Sequence, residues 1–294
     1  MEIFKFDMKL VTFAYRAETH IGALISKEGN DFVFDFSRAE PGSPTDMTPF
    51  LRGGNVSWAR RALASADERF LVPISDVTLR APVPQPGKLI CIGHNYHDHA
   101  GATPPAYPDI FAKFANVIIG PNQPIVGPRE TQAVDYEAEL AVVIGKRVRR
   151  IAQANALDAV AGYTIFNDVT ARDYQKRQSQ WTIGKSFDTF GPMGPALVTR
   201  DEISDPGNLD LTLWVNGEQR QHANTCDLIF SVPFLIAYLS QAITLEPGDI
   251  ISTGTPSGTG ASRKPPVFLQ TGDEVRIRIE KIGELTNPVV IEES

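Results

Sequence analysis

Three acidic residues occur at positions that suit a metal site. Glu137 and Glu139 alternate within the apolar segment 136–144, which has the composition of a β-strand, so their side chains share one face. Asp168 directly follows a second apolar segment, 163–167. Two partly buried carboxylates side by side repel each other and lose hydration, and a divalent cation relieves both costs. Three hard oxygen donors favour Mg²⁺ or Mn²⁺.

A different structure would give the same alternation of glutamates. An edge strand with a solvated acidic face also places Glu137 and Glu139 on one side. Asp168 weighs against this alternative, because the end of a strand just before a helix is a common place for a ligand. Zinc is disfavoured, since the sequence has no His-x-x-x-His pair and no cysteine pair at ligand spacing.

A cluster of histidines offers groups for proton transfer. His94, His97 and His99 fall within six residues, in a turn that follows the apolar segment 89–92. Imidazole exchanges protons near neutral pH, so a histidine in such a turn is a candidate general base. Each histidine taken alone is more typical of a structural or surface position. The clustering is what favours a catalytic role for one of them.

The elements that must position these residues are mostly strands. A segment with three prolines and a glycine, 82–87, predicts a domain boundary near residue 80. We therefore expect two domains, residues 1–80 and 81–294. Apolar alternation predicts strands near 9–13, 21–25, 31–36, 88–93, 136–144, 163–167, 209–215 and 275–279. Helices are predicted at 56–66, from about 171 and at 231–241, and a hairpin turn at Asn216-Gly217.

Composition excludes several classes of protein. The chain has 294 residues, of which 42% are hydrophobic and 21% charged, so it can bury a sizeable core. This balance excludes disorder, collagen and coiled coil as the main architecture. The 35 acidic and 28 basic residues give a net charge of −7, which argues against a nucleic-acid-binding protein that relies on positive charge. Two cysteines are too few for a disulfide framework.

The sequence also predicts a location. The longest apolar segment lies near 232–239, far short of the ~20 residues that span a bilayer. The first seven residues lack the apolar core of a signal peptide. We therefore expect a soluble cytoplasmic protein whose partners include neither a membrane nor a nucleic acid.

Several motifs in order resemble the fumarylacetoacetate hydrolase family over roughly the last two-thirds of the chain. They are Gly93-x-Asn95-Tyr96-x-x-His99-Ala100, Asp135-Tyr136-Glu137-x-Glu139-Leu140, Asn167-Asp168-Val169-Thr170-Ala171-Arg172-Asp173, Trp181-Thr182-x-x-Lys185 and Thr253-Gly254-Thr255-Pro256-x-Gly258. The resemblance implies an α+β, strand-rich fold, a mixed β-roll with a small N-terminal domain, and a homodimer. It also implies a small-molecule 2-oxo acid as substrate.

The resemblance further implies roles for particular residues. Mg²⁺ or Mn²⁺ would bind Glu137, Glu139 and Asp168. The catalytic residues would be His99, as general base, and Lys185. The substrate site would be lined by Tyr96, Gln175, Gly254 and Thr255. Many family members carry a glutamate three residues after the histidine, where this chain has Ala102. His99 therefore lacks that partner; either His97, His94 or a residue elsewhere in the chain replaces it, or the reaction does not need it.

Three functions are consistent with these residues. The first is a metal-dependent hydrolase that cleaves a C–C bond in an acylpyruvate-type 2,4-dioxo acid through an enolate. The second is a decarboxylase, isomerase or hydratase of a small 2-oxo acid that uses the same metal site, an alternative that Ala102 strengthens. The third is a non-catalytic protein that binds an oxo acid.

Overall fold

The computed structural model describes residues 7–64, 67–101 and 104–293. Strands predominate before residue 81: β1 Lys9–Tyr15, β2 Glu18–Lys27, β3 Asn30–Asp35, α1 Phe36–Ala39, α2 Met47–Arg52, α3 Val56–Ala64, β4 Leu71–Pro73 and β5 Thr78–Arg80. The middle of the chain contains β6 Leu89–Gly93, β7 Asp109–Lys113, β8 Ile118–Ile119, β9 Ile125–Gly127, β10 Val134–Asp135, β11 Ala138–Ile144, β12 Val160–Asn167, β13 Thr170–Ala171, α4 Arg172–Gln175, α5 Thr182–Lys185 and β14 Gly191–Thr199. The last part contains β15 Asp210–Val215, β16 Glu218–Asn224, α6 Val232–Ala242, β17 Ile250–Ser252, β18 Glu274–Ile279 and β19 Gly283–Ile291.

One large mixed sheet contains most of the strands that the structure describes. Its strands follow the order β4-β3-β2-β1-β14-β12-β11-β17-β6-β7, with β5 paired to β1 and β8 to β14. Most neighbours are antiparallel, whereas β17 and β6 are parallel, as are β14 and β8. A second sheet has the order β16-β15-β18-β19-β9. This strand-rich architecture with few helices confirms the predicted fold class.

Most predicted elements are present, with small differences at their ends. The hairpin turn joins β15 and β16, and Asn216 and Gly217 both have positive φ, at 52° and 79°. β3 ends at Asp35, because the Asp35 side chain accepts a hydrogen bond from the backbone N–H of Arg38 and caps α1. α3 covers the predicted helix as far as Ala64, and the next two positions lie outside the described ranges. The helix predicted from about 171 is the single turn α4.

The longest helix that the structure describes, α6, has eleven residues. It begins as predicted, with a proline in its first turn. Across the described ranges, no helix combines the length and the apolar character that a membrane span requires.

The strand predicted around the two glutamates is interrupted. β10 ends at Asp135 and β11 begins at Ala138, so Glu137 lies between the two strands. The backbone N–H of Glu137 donates to the side-chain oxygen of Asn167 at 3.0 Å, and its carbonyl accepts from the N–H of Asp168 at 2.9 Å. A side-chain amide thus replaces a strand partner at this position.

The two glutamates are buried within the sheet. β11 lies between β12 and β17, and every one of its residues is buried. Glu137 is 5% exposed and Glu139 is 1% exposed. The alternative of an edge strand with a solvated acidic face is therefore wrong.

The sheet continues across the predicted domain boundary. β1 pairs with β14, where Leu10 lies opposite Leu197. Arg60 in α3 also forms ion pairs with Asp201 and Glu202, which follow β14. A single hydrophobic cluster includes buried side chains from both parts of the chain. The boundary near residue 80 remains a prediction.

Candidate active site

Several elements deliver charged side chains to one buried place. Glu137 precedes β11, Glu139 lies within it, and Asp168 follows β12. Lys113 ends β7 and Lys185 ends α5. The candidate ligand atoms of the three carboxylates lie within 4.8 Å of one another, and all three residues are buried. The structure therefore brings together the three residues predicted as metal ligands.

Three cationic side chains contact two of these carboxylates. Lys185 Nζ donates to Glu137 Oε2 at 2.6 Å and to Asp168 Oδ2 at 2.7 Å. Lys113 Nζ donates to Asp168 Oδ1 at 2.5 Å, and Arg172 Nη2 donates to Glu137 Oε1 at 2.6 Å. Such charge-assisted hydrogen bonds are strong because both partners are ionised and shielded from water.

This pairing sets the ionisation of Glu137 and Lys185. Burial alone would raise the pKa of the Glu137 carboxyl, but Arg172 and Lys185 outweigh burial and hold that pKa well below its usual range. Burial alone would lower the pKa of the Lys185 ammonium, but Asp168 and Glu137 outweigh it and raise that pKa. Both side chains are therefore charged at neutral pH.

Glu139 differs from the other two carboxylates. Its Oε2 accepts hydrogen bonds from Ser252 Oγ at 2.5 Å and from the backbone N–H of Gly254 at 3.0 Å. Within the described part of the chain, no cationic side chain pairs with it. Burial, and then the charges of Asp168 and Glu137, raise the pKa of Glu139 well above its usual value.

The charge balance of the cluster fits a bound cation. Four buried carboxylates face three buried cations, so the cluster has one carboxylate more than it has cations, and the raised pKa of Glu139 reflects this excess. The carboxylates belong to Asp135, Glu137, Glu139 and Asp168, and the cations to Lys113, Arg172 and Lys185. Hard carboxylate oxygens with excess negative charge suit Mg²⁺ or Mn²⁺. The triad thus fits a divalent metal.

A small cavity opens beside the triad. Four of the predicted catalytic and substrate-binding residues line it: His99, Gln175, Lys185 and Thr255. Its wall also includes residues that the sequence analysis did not place there: Ile92, Gly93, His94, Phe111, Arg172 and Trp181. The cavity therefore combines the carboxylate triad, a candidate base and aromatic side chains.

Two predicted substrate-binding residues lie behind this wall. Tyr96 is fully buried, and its hydroxyl has no hydrogen-bond partner among the residues that the structure describes. Gly254 has a φ of +100°, and a Cβ there would lie 2.8 Å from the Cβ of Asn95. Because its N–H donates to Glu139, Gly254 supports a candidate metal ligand in this structure.

His99 lines the cavity as a half-buried side chain. Among the described residues, none forms a hydrogen bond or an ion pair with its imidazole. Burial lowers the pKa of His99, Glu137 opposes that shift, and Arg172 and His94 add to it. The imidazole is therefore neutral at pH 7 and can accept a proton. Ala102, where many family members have a glutamate, lies outside the described ranges.

Sequence reasoning missed Lys113 as a site residue. Lys113 is 3% exposed and contacts Asp168 and the carbonyl of Val169. Its signal in the sequence is one lysine within the apolar run Phe111-Ala112-Lys113-Phe114, which by itself also suits a surface position.

Arg172 was part of a recognised motif but received no role. It connects Asp135 and Glu137 through two hydrogen bonds, and its Nη1 donates to Gln175 Oε1 at 3.1 Å. Arg172 therefore fixes one metal-ligand candidate and one predicted substrate-binding residue at the same time.

Comparisons with known proteins agree with this geometry. The family model described as Fumarylacetoacetate (FAA) hydrolase C-terminal matches residues 88–290. A mitochondrial oxaloacetate tautomerase of Bos taurus is 47% identical over 293 residues, which is 97% of this chain and 92% of the relative.

Solved structures show the same fold. The crystal structure of 2-hydroxyhepta-2,4-diene-1,7-dioate isomerase from Mycobacterium marinum is 36% identical, with a TM-score of 0.78 over 98% of this chain and 100% of that one. The structure of maleylpyruvate hydrolase from Sphingobium sp. SYK-6, in complex with manganese(II) and pyruvate, is 34% identical. Its TM-score is 0.81 over 97% of this chain and 100% of that one. The chain belongs to the fumarylacetoacetate hydrolase family.

Proposed function

We propose that this protein is a divalent-metal-dependent enzyme that interconverts the keto and enol forms of a small 2-oxo acid. Oxaloacetate is the first substrate to test. One observation carries the proposal: a buried carboxylate triad, one member of which has no cationic partner in the described ranges, lies beside a neutral histidine that has no carboxylate partner there. Such a base suits direct proton transfer from carbon.

The residues of the triad would hold Mg²⁺ or Mn²⁺. A divalent cation bound by Glu137, Glu139 and Asp168 supplies positive charge that stabilises a negatively charged substrate oxygen. Lys185 holds Glu137 and Asp168 in place for this role. Arg172 donates to the second carboxylate oxygen of Glu137, Oε1. The carboxylates of Glu137 and Asp168 are therefore fixed in position before substrate binds.

The proton transfer belongs to His99. As a neutral imidazole it takes a proton from the carbon next to the substrate carbonyl and returns it to the carbonyl oxygen. Gln175 and Thr255 lie on the same cavity wall and offer hydrogen-bonding groups for a substrate carboxylate.

The relatives support a proton-transfer reaction. The bovine relative is named a tautomerase and the Mycobacterium marinum neighbour an isomerase. Both reactions move protons along a carbon skeleton without cleaving it.

Hydrolysis of an acylpyruvate, which the sequence favoured, becomes the second candidate. The observation in its favour is the similarity to maleylpyruvate hydrolase, whose structure contains manganese and pyruvate. In that reaction His99 would activate water instead of taking a proton from carbon. Decarboxylation or hydration of a 2-oxo acid would use the same metal site.

The test is a metal-replacement experiment with a panel of 2-oxo acids. Protein treated with EDTA and then given MnCl₂ or MgCl₂ is mixed with oxaloacetate in D₂O, and NMR follows keto, enol and deuterated species. We expect metal-dependent exchange at least tenfold above a blank that contains metal without protein. Cleavage of an acylpyruvate with ¹⁸O uptake from labelled water, without this exchange, would favour the second candidate. Binding of the acids without any turnover would favour the non-catalytic alternative.

The predicted homodimer and cytoplasmic location are part of this proposal. A homodimer has twice the 32.2 kDa mass of one chain in light scattering, and a particle of 32.2 kDa would contradict it. Cys91 and Cys226 are free cysteines in this structure, which is typical of a reducing compartment. Localisation of the full-length chain by microscopy tests the cytoplasmic prediction, and the bovine relative is named mitochondrial.

A further inference from the structure

His94 lies at the edge of the cavity, where its partly exposed side chain contacts Asp109 and Trp181. Its Nδ1 lies 2.9 Å from Oδ2 of Asp109. Because an ionised carboxylate only accepts hydrogen bonds, Nδ1 is the donor, and Nε2 has no partner among the residues that the structure describes. The indole of Trp181 meets the imidazole edge-on, with the ring centroids 5.5 Å apart. The backbone of His94 has a φ of 52°, a left-handed conformation that few residues other than glycine adopt.

The neighbouring residues are shaped to accept this indole. A Cβ on Gly93 would lie 2.7 Å from Cζ3 of Trp181, so glycine is required for the indole to come this close. Phe111 in β7 packs edge-on against the same indole, with the centroids 5.4 Å apart. Trp181 is therefore fixed by β6 and β7, and it restricts the rotation of His94.

His99 depends on His94 for its position. Their rings are stacked at a centroid distance of 6.0 Å and an interplanar angle of 27°. The backbone N–H of His99 donates to the carbonyl of Tyr96 at 3.0 Å, whereas its imidazole has no hydrogen-bond partner in the described ranges. Packing, not hydrogen bonding, thus fixes the rotamer of this side chain.

We infer that His94 and Asp109 form a positioning pair that holds the His99 imidazole in place for proton transfer. Asp109 orients His94 through Nδ1, and the flat face of His94 supports the His99 ring. The inference rests on the proposed function, in which His99 moves the proton. The pair thus does the task that a hydrogen-bonded carboxylate would otherwise do for His99.

This role predicts a loss in the chemical step with little change in substrate affinity. Proton transfer requires the base within about 2.6–3.2 Å of its partner atom. A misplacement of about 1 Å costs up to about 100-fold in rate. We therefore expect kcat to respond to the loss of the His94 ring, whereas KM stays within about twofold of the wild-type value.

The first comparison separates the ring of His94 from its other properties. His94→Asn removes the ring and keeps a residue that tolerates positive φ. We expect this variant to lower kcat for keto–enol exchange by about 10- to 50-fold. His94→Phe keeps a flat ring but loses the hydrogen bond to Asp109, so we expect it to lower kcat by only about 3- to 10-fold, as Asp109→Asn does. His97→Asn is the matched control in the same turn; its exposed side chain should leave kcat unchanged.

Asp109→Asn tests the other member of the pair without altering the turn. We expect kcat to fall by about 3- to 10-fold at unchanged KM, because the amide holds His94 less firmly than a carboxylate does. Asp109 lies at an exposed position at the start of β7, so its replacement should not disturb folding. Asp109→Asn therefore still tests the positioning pair if His94→Asn does not fold.

A double variant distinguishes positioning from an independent effect. His99→Asn should lower kcat by at least about 100-fold, and adding His94→Asn should cost nothing further. Multiplicative losses in the double variant, or a raised KM at unchanged kcat in His94→Asn, would overturn the inference. If His94→Asn and Asp109→Asn both keep the wild-type kcat while His99→Asn is impaired, the positioning inference is wrong. The proposed function is unaffected by that result. Wild-type kcat in His99→Asn would instead overturn the proposed function.

Discussion

Buried charges at this site are compensated unequally, and Glu139 has the least compensation. Glu137 and Asp168 each contact two cationic side chains, whereas Glu139 accepts hydrogen bonds only from a hydroxyl and a backbone N–H in the described ranges. A buried charge without a cation destabilises the folded state. The same feature attracts a divalent metal. We therefore expect the folded protein to be less stable without a metal than with one.

Glu139→Gln separates these two effects. Glutamine keeps a carbonyl oxygen for Ser252 and Gly254 but removes the charge. At pH 7 we expect the metal-free variant to be more stable than the wild type by about 1–2 kcal/mol, because the wild type must either bury an unpaired charge or take up a proton at Glu139 on folding, and both cost free energy. We also expect Mn²⁺ to raise the Tm of the wild type but not that of the variant. Thermal unfolding in EDTA and in MnCl₂ measures both.

The matched control for that experiment is Glu130→Gln. Glu130 is exposed and pairs with its neighbour Arg129, so its replacement should change neither the Tm in EDTA nor the shift with Mn²⁺. A full Mn²⁺-dependent rise in the Tm of Glu139→Gln would contradict the assignment of Glu139 as a metal ligand.

The ionisation of His99 predicts the pH dependence of catalysis. Burial lowers the pKa of His99 below its ordinary value of 6.5, so the imidazole stays neutral to a more acidic pH than a free histidine does. As the pH falls through that lowered pKa, the base becomes protonated and activity is lost. We expect kcat/KM to be level near pH 8 and to fall as the medium becomes more acidic, with a midpoint under 6.5.

Profiles of kcat/KM against pH for the wild type and for His99→Asn check this prediction. The variant should lose the acidic limb along with most of its activity. An acidic limb centred above pH 6.5 in the wild type, or one that persists in the variant, would show that another group is responsible.

At the scale of elements, the turn after β6 is anchored by one buried amide. Asn95 Nδ2 donates to the carbonyls of Thr253 and Phe230 at 2.7 and 3.1 Å, and its Oδ1 accepts from the N–H of Phe230 at 2.8 Å. These bonds connect the histidine turn to the loop after β17 and to the segment before α6. The position of His99 therefore depends on elements distant in the sequence.

Asn95→Ala should weaken both the fold and the catalysis. It leaves two buried carbonyls and one buried N–H without their partner, and we expect it to lower the free energy of unfolding by about 2–4 kcal/mol. We also expect kcat to fall at least tenfold, because the histidine turn loses its anchor. Urea denaturation and steady-state kinetics measure these two effects.

Asn30→Ala, at an exposed end of β3, provides the comparison. Its side chain makes one long hydrogen bond, so stability and kcat should match those of the wild type. If Asn95→Ala loses less than about 1 kcal/mol, the turn is held mainly by other contacts.

At the scale of the whole molecule, the large sheet joins regions with separate tasks. The described residues that line the cavity all lie after residue 90, and several come from β6, β7 and β11 or follow β12. β1 to β5 extend the same sheet at its other side through the pairing of β1 with β14. The N-terminal strands therefore support the sheet rather than supply residues to this cavity.

A continuous sheet predicts cooperative unfolding. In calorimetry we expect the full chain to show a single transition, because β14 would become an exposed edge if the first 80 residues unfolded alone. Leu10→Ala removes a fully buried side chain at the junction and should destabilise that single transition by about 2–5 kcal/mol.

A control variant and a contrary outcome accompany this calorimetric prediction. Val290→Ala, an exposed valine of β19, should shift the transition by less than about 0.5 kcal/mol. Two resolved transitions, of which Leu10→Ala moves only one, would show that the two predicted domains unfold independently.

Local patterns in the sequence predicted many of the strands, one turn and the carboxylate triad of this protein. Alternation of apolar residues predicted the strands, Asn216-Gly217 predicted the hairpin, and the spacing of three acidic residues predicted the triad. These features depend on neighbours in the sequence, because a strand face or a tight turn is set within a few residues. The resemblance to one family rests on the same local motifs.

Only the tertiary structure decided how the charges are paired. Lys113 contacts Asp168 across 55 positions of the chain, and Asp109 contacts His94 across 15. The first pairing depends on the order β12-β11-β17-β6-β7 in the sheet, which no local pattern specifies, and the second on the pairing of β6 with β7. Glu139 lacks a cation for the same reason, since its surroundings are assembled from separate segments. Residue types fixed which chemistry was available, and the strand order decided which groups are close enough to carry it out.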